Sequence, residues 1–352
     1  MTLAPGRVPF CFVDVFARRP LTGNPLSLIP DADGLAESQM QAIAREFNQS
    51  ETTFVLRPSV RPGRGPVATW RLRSFTPIGA EVFGVGHNAL GAWLWLAAAG
   101  RITVGAGGAG GAGGAGGAGV AGVAGGAGAG GAGGGAGEQL TQEIGSKVLP
   151  VEVSRGDDGV VAVTMDQSAP EFGGVAADRA ELAAALGLTA ADLVPAQPAQ
   201  VVSTGAGHLL VPLRDRAAVD RSRPVTERLA AVLRQAGGQG CYLYSRDPVG
   251  DSADGPVGGL AGRPVGGSVA VAYTRFFNPT VGIVEDPATG TAAGPLVARL
   301  VAEGQVAPDG RPVIVEQGFA LGRPSRIQVS VAGPRVRVGG SGLVVAEGTL
   351  AL

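Results

Sequence analysis

Residues 73–77 read Arg-Ser-Phe-Thr-Pro, and residues 275–279 read Arg-Phe-Phe-Asn-Pro. Each stretch is followed by a short polar loop, by Gly86 or Gly290, and by a mostly apolar segment, at 89–99 and 291–303, that predicts a buried helix. This repetition predicts an α+β fold of two similar halves, each a mixed sheet wrapped around a central buried helix, with the active site in the cleft between them. A chance match of five loosely similar positions is the alternative.

The rest of the pattern predicts strands with a few amphipathic helices. Helices are expected at 180–186, at 226–236 and around Met40 to Phe47, where Ser38 is a plausible cap. We expect an N-terminal half at 1–146 and a C-terminal half at 147–352, with the last strand, near 345–352, able to pack against the first half. Strands are expected at 10–16, 26–29, 51–56, 68–75, 147–153, 160–165, 201–202, 209–212, 240–245, 268–277, 313–315, 327–331, 335–338 and 343–346.

A low-complexity segment interrupts the first half. Residues 105–137 contain only glycine, alanine and two valines, and they hold a third of the 60 glycines of the chain. Such a composition predicts a disordered insert. Residues 105–110 match the glycine spacing of a dinucleotide-binding turn, but no helix-forming residues follow, and the first acidic residue, Glu138, comes later than the offset of about 20 residues. We therefore expect no nucleotide cofactor there.

Composition excludes several classes of partner. The 352 residues include 28 basic and 29 acidic side chains, so the net charge of −1 offers no attraction for nucleic acid or an anionic membrane. Cys11 and Cys241 are too few for a disulfide framework, and two histidines without suitable partners predict no metal site. The longest bulky apolar stretch, 89–99, is shorter than the roughly 20 residues that span a bilayer. We expect a soluble, cytoplasmic protein.

Motifs along nearly the whole chain outside the insert resemble the phenazine-biosynthesis PhzF family of the diaminopimelate-epimerase-like fold. They occur in the family's order. They are Phe12-Val-Asp-Val-Phe16, Gly23-Asn-Pro25, Asn48-Gln-Ser-Glu-Thr-Thr-Phe-Val55, Phe75-Thr-Pro77, Gly86-His87, Met165-Asp-Gln167, Glu285-Asp-Pro-Ala-Thr-Gly-Thr-Ala-Ala-Gly-Pro-Leu296, Glu316-Gln-Gly318 and Gly322-Arg-Pro-Ser325.

The resemblance implies a cofactor-independent isomerase in which one carboxylate moves a proton on a small metabolite, commonly as a homodimer. The best-known activity of the family is isomerisation of trans-2,3-dihydro-3-hydroxyanthranilate. By position in the motifs, Glu51 matches the general acid/base, while His87 and Asp286 match residues that hold substrate and assist the proton shift. Thr291 stands where the family more often has serine. These matches imply no cofactor.

The residues themselves support such chemistry. Moving a carbon-bound proton requires a base whose pKa lies near the working pH, which a carboxylate attains in an apolar pocket. Glu51 fits, although a position on the solvent face of its strand is the alternative. His87 could instead be a capping or packing residue and Asp286 an N-cap. Two helix N-termini, at Gly86 and Gly290, would bind the carboxylate of a small anionic substrate.

Other mechanisms and functions stay open on sequence grounds. A two-thiol racemase on this fold needs a cysteine at each helix start, and Cys11 and Cys241 lie elsewhere. Glu51 and Asp286 could in principle act as two oxygen bases. His208 precedes an apolar strand, which favours a structural role. A catalytically idle binding protein that kept the cleft is the main alternative to an isomerase, and a scaffold protein is a weaker one.

Overall fold

The computed structural model describes residues 6–61, 65–84, 86–106, 140–249 and 269–352. Its helices are α1 (Glu37–Phe47), α2 (His87–Ala98), α3 (Arg179–Ala185), α4 (Arg216–Arg221), α5 (Thr226–Ala236) and α6 (Gly290–Ala302). Its strands are β1 (Arg7–Val15), β2 (Asn24–Ile29), β3 (Thr52–Leu56), β4 (Val60–Arg61), β5 (Gly65–Pro66), β6 (Trp70–Phe75), β7 (Glu81–Val82), β8 (Gly105–Ala106), β9 (Leu140–Ile144), β10 (Lys147–Arg155), β11 (Val161–Gln167), β12 (Glu171–Val175), β13 (Gln200–Ser203), β14 (Gly207–Pro212), β15 (Gly240–Ser245), β16 (Ala270–Asn278), β17 (Ile283–Asp286), β18 (Val313–Gln317), β19 (Ser325–Ala332) and β20 (Arg335–Ala351).

Eight strands form a closed ring around helix α2. The order β20, β1, β2, β3, β6, β9, β10, β11 returns to β20, with parallel pairs only at β2–β3 and β6–β9. The residues of α2 from 87 to 97 are all buried, and the indole Nε1 of Trp93 donates to Gln142 Oε1 at 3.0 Å. A helix that is apolar on every side can lower its free energy only when it is surrounded.

The same pairing pattern recurs around helix α6. From β1 to β11 the ring pairs are antiparallel, parallel, antiparallel, parallel, antiparallel, antiparallel, and this series repeats through β13, β14, β15, β16, β18, β19 and β20. Helix α6 packs on β13, β14, β19 and β20. The prediction of two similar halves, each built around a buried helix, is confirmed.

The repeated Arg-x-Phe-x-Pro motif forms the same hairpin in both halves. Arg73 pairs with Glu81 across β6 and β7 at 2.7 Å, and Arg275 pairs with Glu285 across β16 and β17 at 2.8 Å. Each guanidinium also lies over the phenylalanine ring two residues later, at 5.0 Å and 4.9 Å from the ring centroid. In both halves the hairpin directly precedes the buried helix, with α2 after β7 and α6 after β17.

Some local predictions need correction. The strands expected at 335–338 and 343–346 are one continuous strand, β20. The glycines between them belong to this strand because they lack a side chain and let neighbouring groups pack close to the backbone. A Cβ at Gly340 would lie only 2.6 Å from the Phe16 ring. Helix α1 begins after Ala36, whose N–H donates to Gln39 Oε1, so Ser38 is not the cap.

The insert and the division into halves have separate outcomes. Gly105–Ala106 pairs with β10, so the prediction of disorder is wrong for these two residues, and 107–137 lie outside the described ranges. The boundary at 146/147 falls in the turn between β9 and β10 and stays a prediction. The last part of β20 pairs with β1 of the first half.

No helix in the described ranges is both long enough and apolar enough to cross a bilayer.

Candidate active site

Glu51 lies immediately before β3, at the edge of the ring around α2. The hydroxyls of Ser27 and Thr52 are 2.6 Å apart and join β2 to the start of β3, which fixes the backbone that carries Glu51. The Glu51 side chain is 19% exposed, and its Oε2 atom is fully buried without a hydrogen-bond partner in the described structure. The alternative of a solvent-facing Glu51 is therefore wrong.

Burial changes the acidity of Glu51. Desolvation, followed by the nearby charge of Asp286, raises the pKa of Glu51 to about 8. A buried carboxyl with an unpartnered oxygen and a pKa in this range can both give and accept a proton near neutral pH.

His87 begins helix α2 next to Glu51. Its Nδ1 lies 4.0 Å from Glu51 Oε2, and its Nε2 lies 3.4 Å from Ser50 Oγ. Burial lowers the pKa of His87 to about 4. At pH 7 these pKa values favour a neutral imidazole and a protonated Glu51 carboxyl, so their contact is mainly one between neutral groups rather than an ion pair.

Asp286 ends β17 and is buried, with both carboxylate oxygens hydrogen-bonded. Asn24 Nδ2 donates to Oδ1 at 2.9 Å, and Thr289 Oγ1 donates to Oδ2 at 2.5 Å. Burial raises the pKa of Asp286 to about 6, against the opposing effect of these two hydrogen bonds. Thr289, not Asp286, is the N-cap residue of α6, so the alternative role as a cap is wrong.

The two buried helices begin side by side. A methyl group placed on Gly86 would lie 3.6 Å from Thr291 Cγ2, and one placed on Gly290 would lie 3.3 Å from the Phe16 ring. The first N–H groups of a helix have no partner within the helix and carry its positive end. Two such ends meet here beside Glu51 and Asp286, which suits a small anion.

His208 borders the same region from β14. Its Nε2 is 3.4 Å from Thr291 Oγ1, its ring meets Phe276 edge to face, and its Nδ1 is buried without a partner in the described structure. Burial lowers the pKa of His208 to about 4, so the ring is neutral. The structural role predicted for His208 agrees with this contact, because the ring packs on Phe276 and lies beside the Thr291 hydroxyl.

The structure brings all six predicted site residues to the two helix starts: Glu51, Gly86, His87, Asp286, Gly290 and Thr291. Sequence reasoning missed three residues that hold Asp286, namely Asn24, Thr289 and Gln317. They stand in quoted motifs, and Gly23-Asn-Pro25 was interpreted only as a turn. Only the tertiary structure shows that this turn reaches Asp286, 262 residues later.

Neither cysteine lies at a helix start. Cys11 is buried in β1, where burial raises its pKa to about 12, and Cys241 is buried in β15 with a raised pKa. Thiol-based racemisation is therefore not supported. Among the described residues, no three or more His, Cys, Asp and Glu side chains are grouped as a metal site would require.

Comparisons with known proteins point to one family. A family model described as phenazine biosynthesis-like protein matches residues 13–107 and 118–348. A trans-2,3-dihydro-3-hydroxyanthranilate isomerase of Pseudomonas fluorescens is 31% identical over 97% of this chain and 99% of its own. A Bacillus anthracis PhzF-family structure matches with a TM-score of 0.77 and 26% identity, over 98% of this chain and 99% of its own. A Pseudomonas aeruginosa structure described as a predicted epimerase has a TM-score of 0.71 and 32% identity over the same shares.

Proposed function

Because the chain belongs to the phenazine biosynthesis-like PhzF family and is an isomerase of the diaminopimelate-epimerase-like fold, we propose that it moves a carbon-bound proton on a small carboxylated metabolite with Glu51 as the general acid/base. The observation that carries the proposal is the buried Oε2 of Glu51, which has no hydrogen-bond partner in the described structure and a pKa near 8. A buried carboxyl left without a partner is costly for stability, which favours a functional reason for its position.

The proton balance of the reaction is simple. With a pKa of about 8, part of Glu51 is ionised near neutral pH. In this form its carboxylate takes a proton from one substrate carbon while the electron pair moves into the conjugated system of the substrate. The resulting carboxyl then returns a proton to a different carbon, which completes an isomerisation. No electrons leave the substrate, so the proposed reaction uses no cofactor.

The rest of the site is proposed to hold the substrate. A substrate carboxylate would accept from the first N–H groups of α6, at Gly290 and Thr291. Gly86 would line the site through its backbone, because its own N–H donates to Asn88 Oδ1 at 3.0 Å. His87, neutral at pH 7, would hydrogen-bond the substrate beside Glu51 without adding a charge. Asp286 would hold a donor group of the substrate at the opposite helix. Such an arrangement places the reacting carbon against Glu51 before any bond changes.

Epimerisation is a second candidate. It requires a second group on the opposite face of the substrate carbon, and Asp286 is a buried carboxyl whose charge acts on Glu51. Deuterium from solvent would then appear at the carbon whose configuration changes, whereas isomerisation places it at a carbon that gains a hydrogen.

The proposal also includes partners and location. We infer a small anionic metabolite as ligand, a homodimer and a cytoplasmic location, in line with the resemblance of the sequence. Light scattering on the purified chain measures the oligomeric state directly.

Glu51→Gln tests the proposed base. The variant should fold as the wild type does and lose at least about a hundredfold in turnover, since a positioned acid/base contributes that much or more. The first substrate to assay is trans-2,3-dihydro-3-hydroxyanthranilate, with product followed by NMR in deuterium oxide. The surface variant Glu46→Gln, on the exposed face of α1, is the control and should keep full activity. If Glu51→Gln keeps more than a tenth of wild-type turnover, Glu51 is not the base.

A further inference from the structure

Two carboxyl groups share this site, the buried Asp286 and the partly buried Glu51, and the hydrogen bonds around them differ. Asp286 accepts a hydrogen bond on each oxygen, whereas Glu51 Oε2 accepts none from the described residues and has His87 Nδ1 at 4.0 Å. In each hydrogen bond to Asp286, the donor atom can be identified from neighbouring backbone groups, because an N–H can only donate and a carbonyl can only accept.

The orientation of Gln317 follows from two backbone groups. Gln317 Oε1 accepts from the Thr289 N–H at 3.0 Å, and Gln317 Nε2 donates to the Asp286 backbone carbonyl at 2.7 Å. The same Nε2 donates to Thr289 Oγ1 at 3.1 Å. Since the Thr289 hydroxyl already accepts from Gln317, its own proton points to Asp286 Oδ2.

The orientation of Asn24 is fixed in the same way. Its Nδ2 donates to the Ala288 backbone carbonyl at 2.8 Å, which only accepts, so the second proton of Nδ2 is directed to Asp286 Oδ1. The turn that carries Asn24 is itself held, because Arg323 donates to the carbonyls of Thr22 and Gly23 and to Asp14. Both oxygens of Asp286 thus accept hydrogen bonds from groups, Asn24 Nδ2 and Thr289 Oγ1, whose other contacts prevent them from acting as acceptors towards Asp286.

We propose that Asn24, Thr289 and Gln317 form a positioning unit that keeps Asp286 as the fixed negative charge of the site and leaves the exchangeable proton on Glu51. A protonated Asp286 would place its own hydrogen against one of two donors, so the unit favours the carboxylate. Glu51 Oε2 has no such donor, and a second negative charge beside Asp286 is unfavourable, so in the free protein the proton is held at Glu51 rather than at Asp286. This inference rests on the proposed function for the role of that proton.

The other ionisable groups around Asp286 do not compete for this role. Glu285, next in sequence, is paired with Arg275 at 2.8 Å. Tyr242, whose hydroxyl donates to Gln317 Oε1, has a pKa raised by burial and keeps its proton. His87, on the Glu51 side, is neutral.

The test is a pH titration of the two carboxyl groups in the free protein. Carboxyl-carbon NMR of protein labelled with ¹³C at Asp and Glu follows both groups, and Glu51→Gln and Asp286→Asn assign the signals. In the wild type Asp286 should titrate at the lower pH and Glu51 at the higher. Thr289→Val removes one donor and should raise the apparent pKa of Asp286 by about one unit or more while lowering that of Glu51.

Three further variants make the test specific. Thr289→Ser keeps the hydroxyl and should restore the wild-type titration. Asn24→Leu removes the other donor and should act as Thr289→Val does, so the result does not depend on one variant folding. Ser325→Ala is the matched control. The buried Ser325 hydroxyl donates to the carbonyl of Pro287, the residue after Asp286, but does not contact the Asp286 carboxylate.

The inference would be overturned if Glu51 had a lower pKa than Asp286 in the wild type. It would also be overturned if Thr289→Val and Ser325→Ala shifted the pKa of Asp286 equally, or if Thr289→Val and Asn24→Leu left both pKa values unchanged. No substrate is present in these measurements, so their outcome is independent of whether the isomerase assay succeeds.

Discussion

At the scale of the residue, the proposed active site combines acidic groups whose burial is unfavourable for the fold. Glu51 has a pKa of about 8 in the folded chain and an ordinary value of 4.5. Between these pH values the folded state binds a proton that the unfolded state does not, so the free energy of unfolding falls as pH rises. The raised pKa of Glu51 therefore lowers the free energy of unfolding on the alkaline side.

Glu51→Gln should remove this pH dependence. In the window from about pH 4.5 to 8, the wild type should lose up to roughly 1.4 kcal/mol of stability per pH unit from this group, and the variant should not. We expect Glu51→Gln to melt above the wild type at pH 8.5 and near it at pH 5, measured by urea unfolding and by thermal melts. Glu46→Gln is the control for losing a surface carboxylate. A difference between Glu51→Gln and wild type that is the same at both pH values would contradict the raised pKa.

At the scale of the element, the two hairpins that precede the buried helices share one design but differ in burial. The side chains of Arg275 and Glu285 are 7% and 10% exposed, and Arg275 also donates to the backbone carbonyls of Val219 and Ser222. Arg73 pairs with Glu81 and with the exposed Glu37. The hairpin before α6 is therefore embedded in the second half, while the one before α2 lies nearer the surface.

Arg275→Met should destabilise the chain much more than Arg73→Met. Removing Arg275 leaves Glu285 buried without its cation, a loss of about 3–5 kcal/mol, whereas the partly exposed Arg73 cluster should lose about 1 kcal/mol. Chemical unfolding of both variants measures the difference. Arg335→Met, which removes an exposed partner of Asp166, is the control and should change stability by less than about 0.5 kcal/mol. Equal losses at Arg73 and Arg275 would show that burial does not separate the two hairpins.

At the scale of the whole molecule, one long strand joins the two halves. β20 pairs with β1 and β11 of the first ring and with β19 of the second unit, so the buried helices α2 and α6 pack against the same strand. This shared strand brings the two helix starts together and places the proposed active site where the halves meet.

The Gly/Ala segment leaves and re-enters the fold along a single strand. Ala106 pairs with Arg155 and Leu140 pairs with Val151, both on β10, so the two ends are about 13 Å apart at 3.3 Å per residue. A linker of eight residues can span that distance.

Replacing residues 107–137 by an eight-residue Gly/Ser linker should leave the fold intact. Shortening the loop by about two doublings changes its closure entropy by only about 1.2 kcal/mol, in the stabilising direction. We expect a melting temperature equal to or slightly above that of the wild type, with unchanged activity. A matched Gly/Ser linker of the original length separates the effect of length from that of composition. A clear loss of stability or activity in both would assign the native segment a role in the fold.

The sequence alone determined the halves and the buried helices, because these depend on local patterns: an apolar helix must be enclosed, and a repeated motif folds alike twice. Among the candidate site residues, the family resemblance supplied Glu51, His87, Asp286 and Thr291, and the two helix starts supplied Gly86 and Gly290. The tertiary structure decided how the halves are joined and what surrounds each carboxyl group. In the sequence, the glycines of β20 indicate a break between two strands, and only the structure shows that Phe16 packs against them. Asn24 likewise reads as a turn residue, and only the structure shows that its amide donates to Asp286. The pKa values of Glu51 and Asp286 arise first from desolvation, which depends on how the whole chain packs, and Asp286 acts on Glu51 and Asn24 on Asp286 across more than 200 residues of sequence. Only Thr289 and Glu285, which also act on Asp286, are its neighbours in sequence.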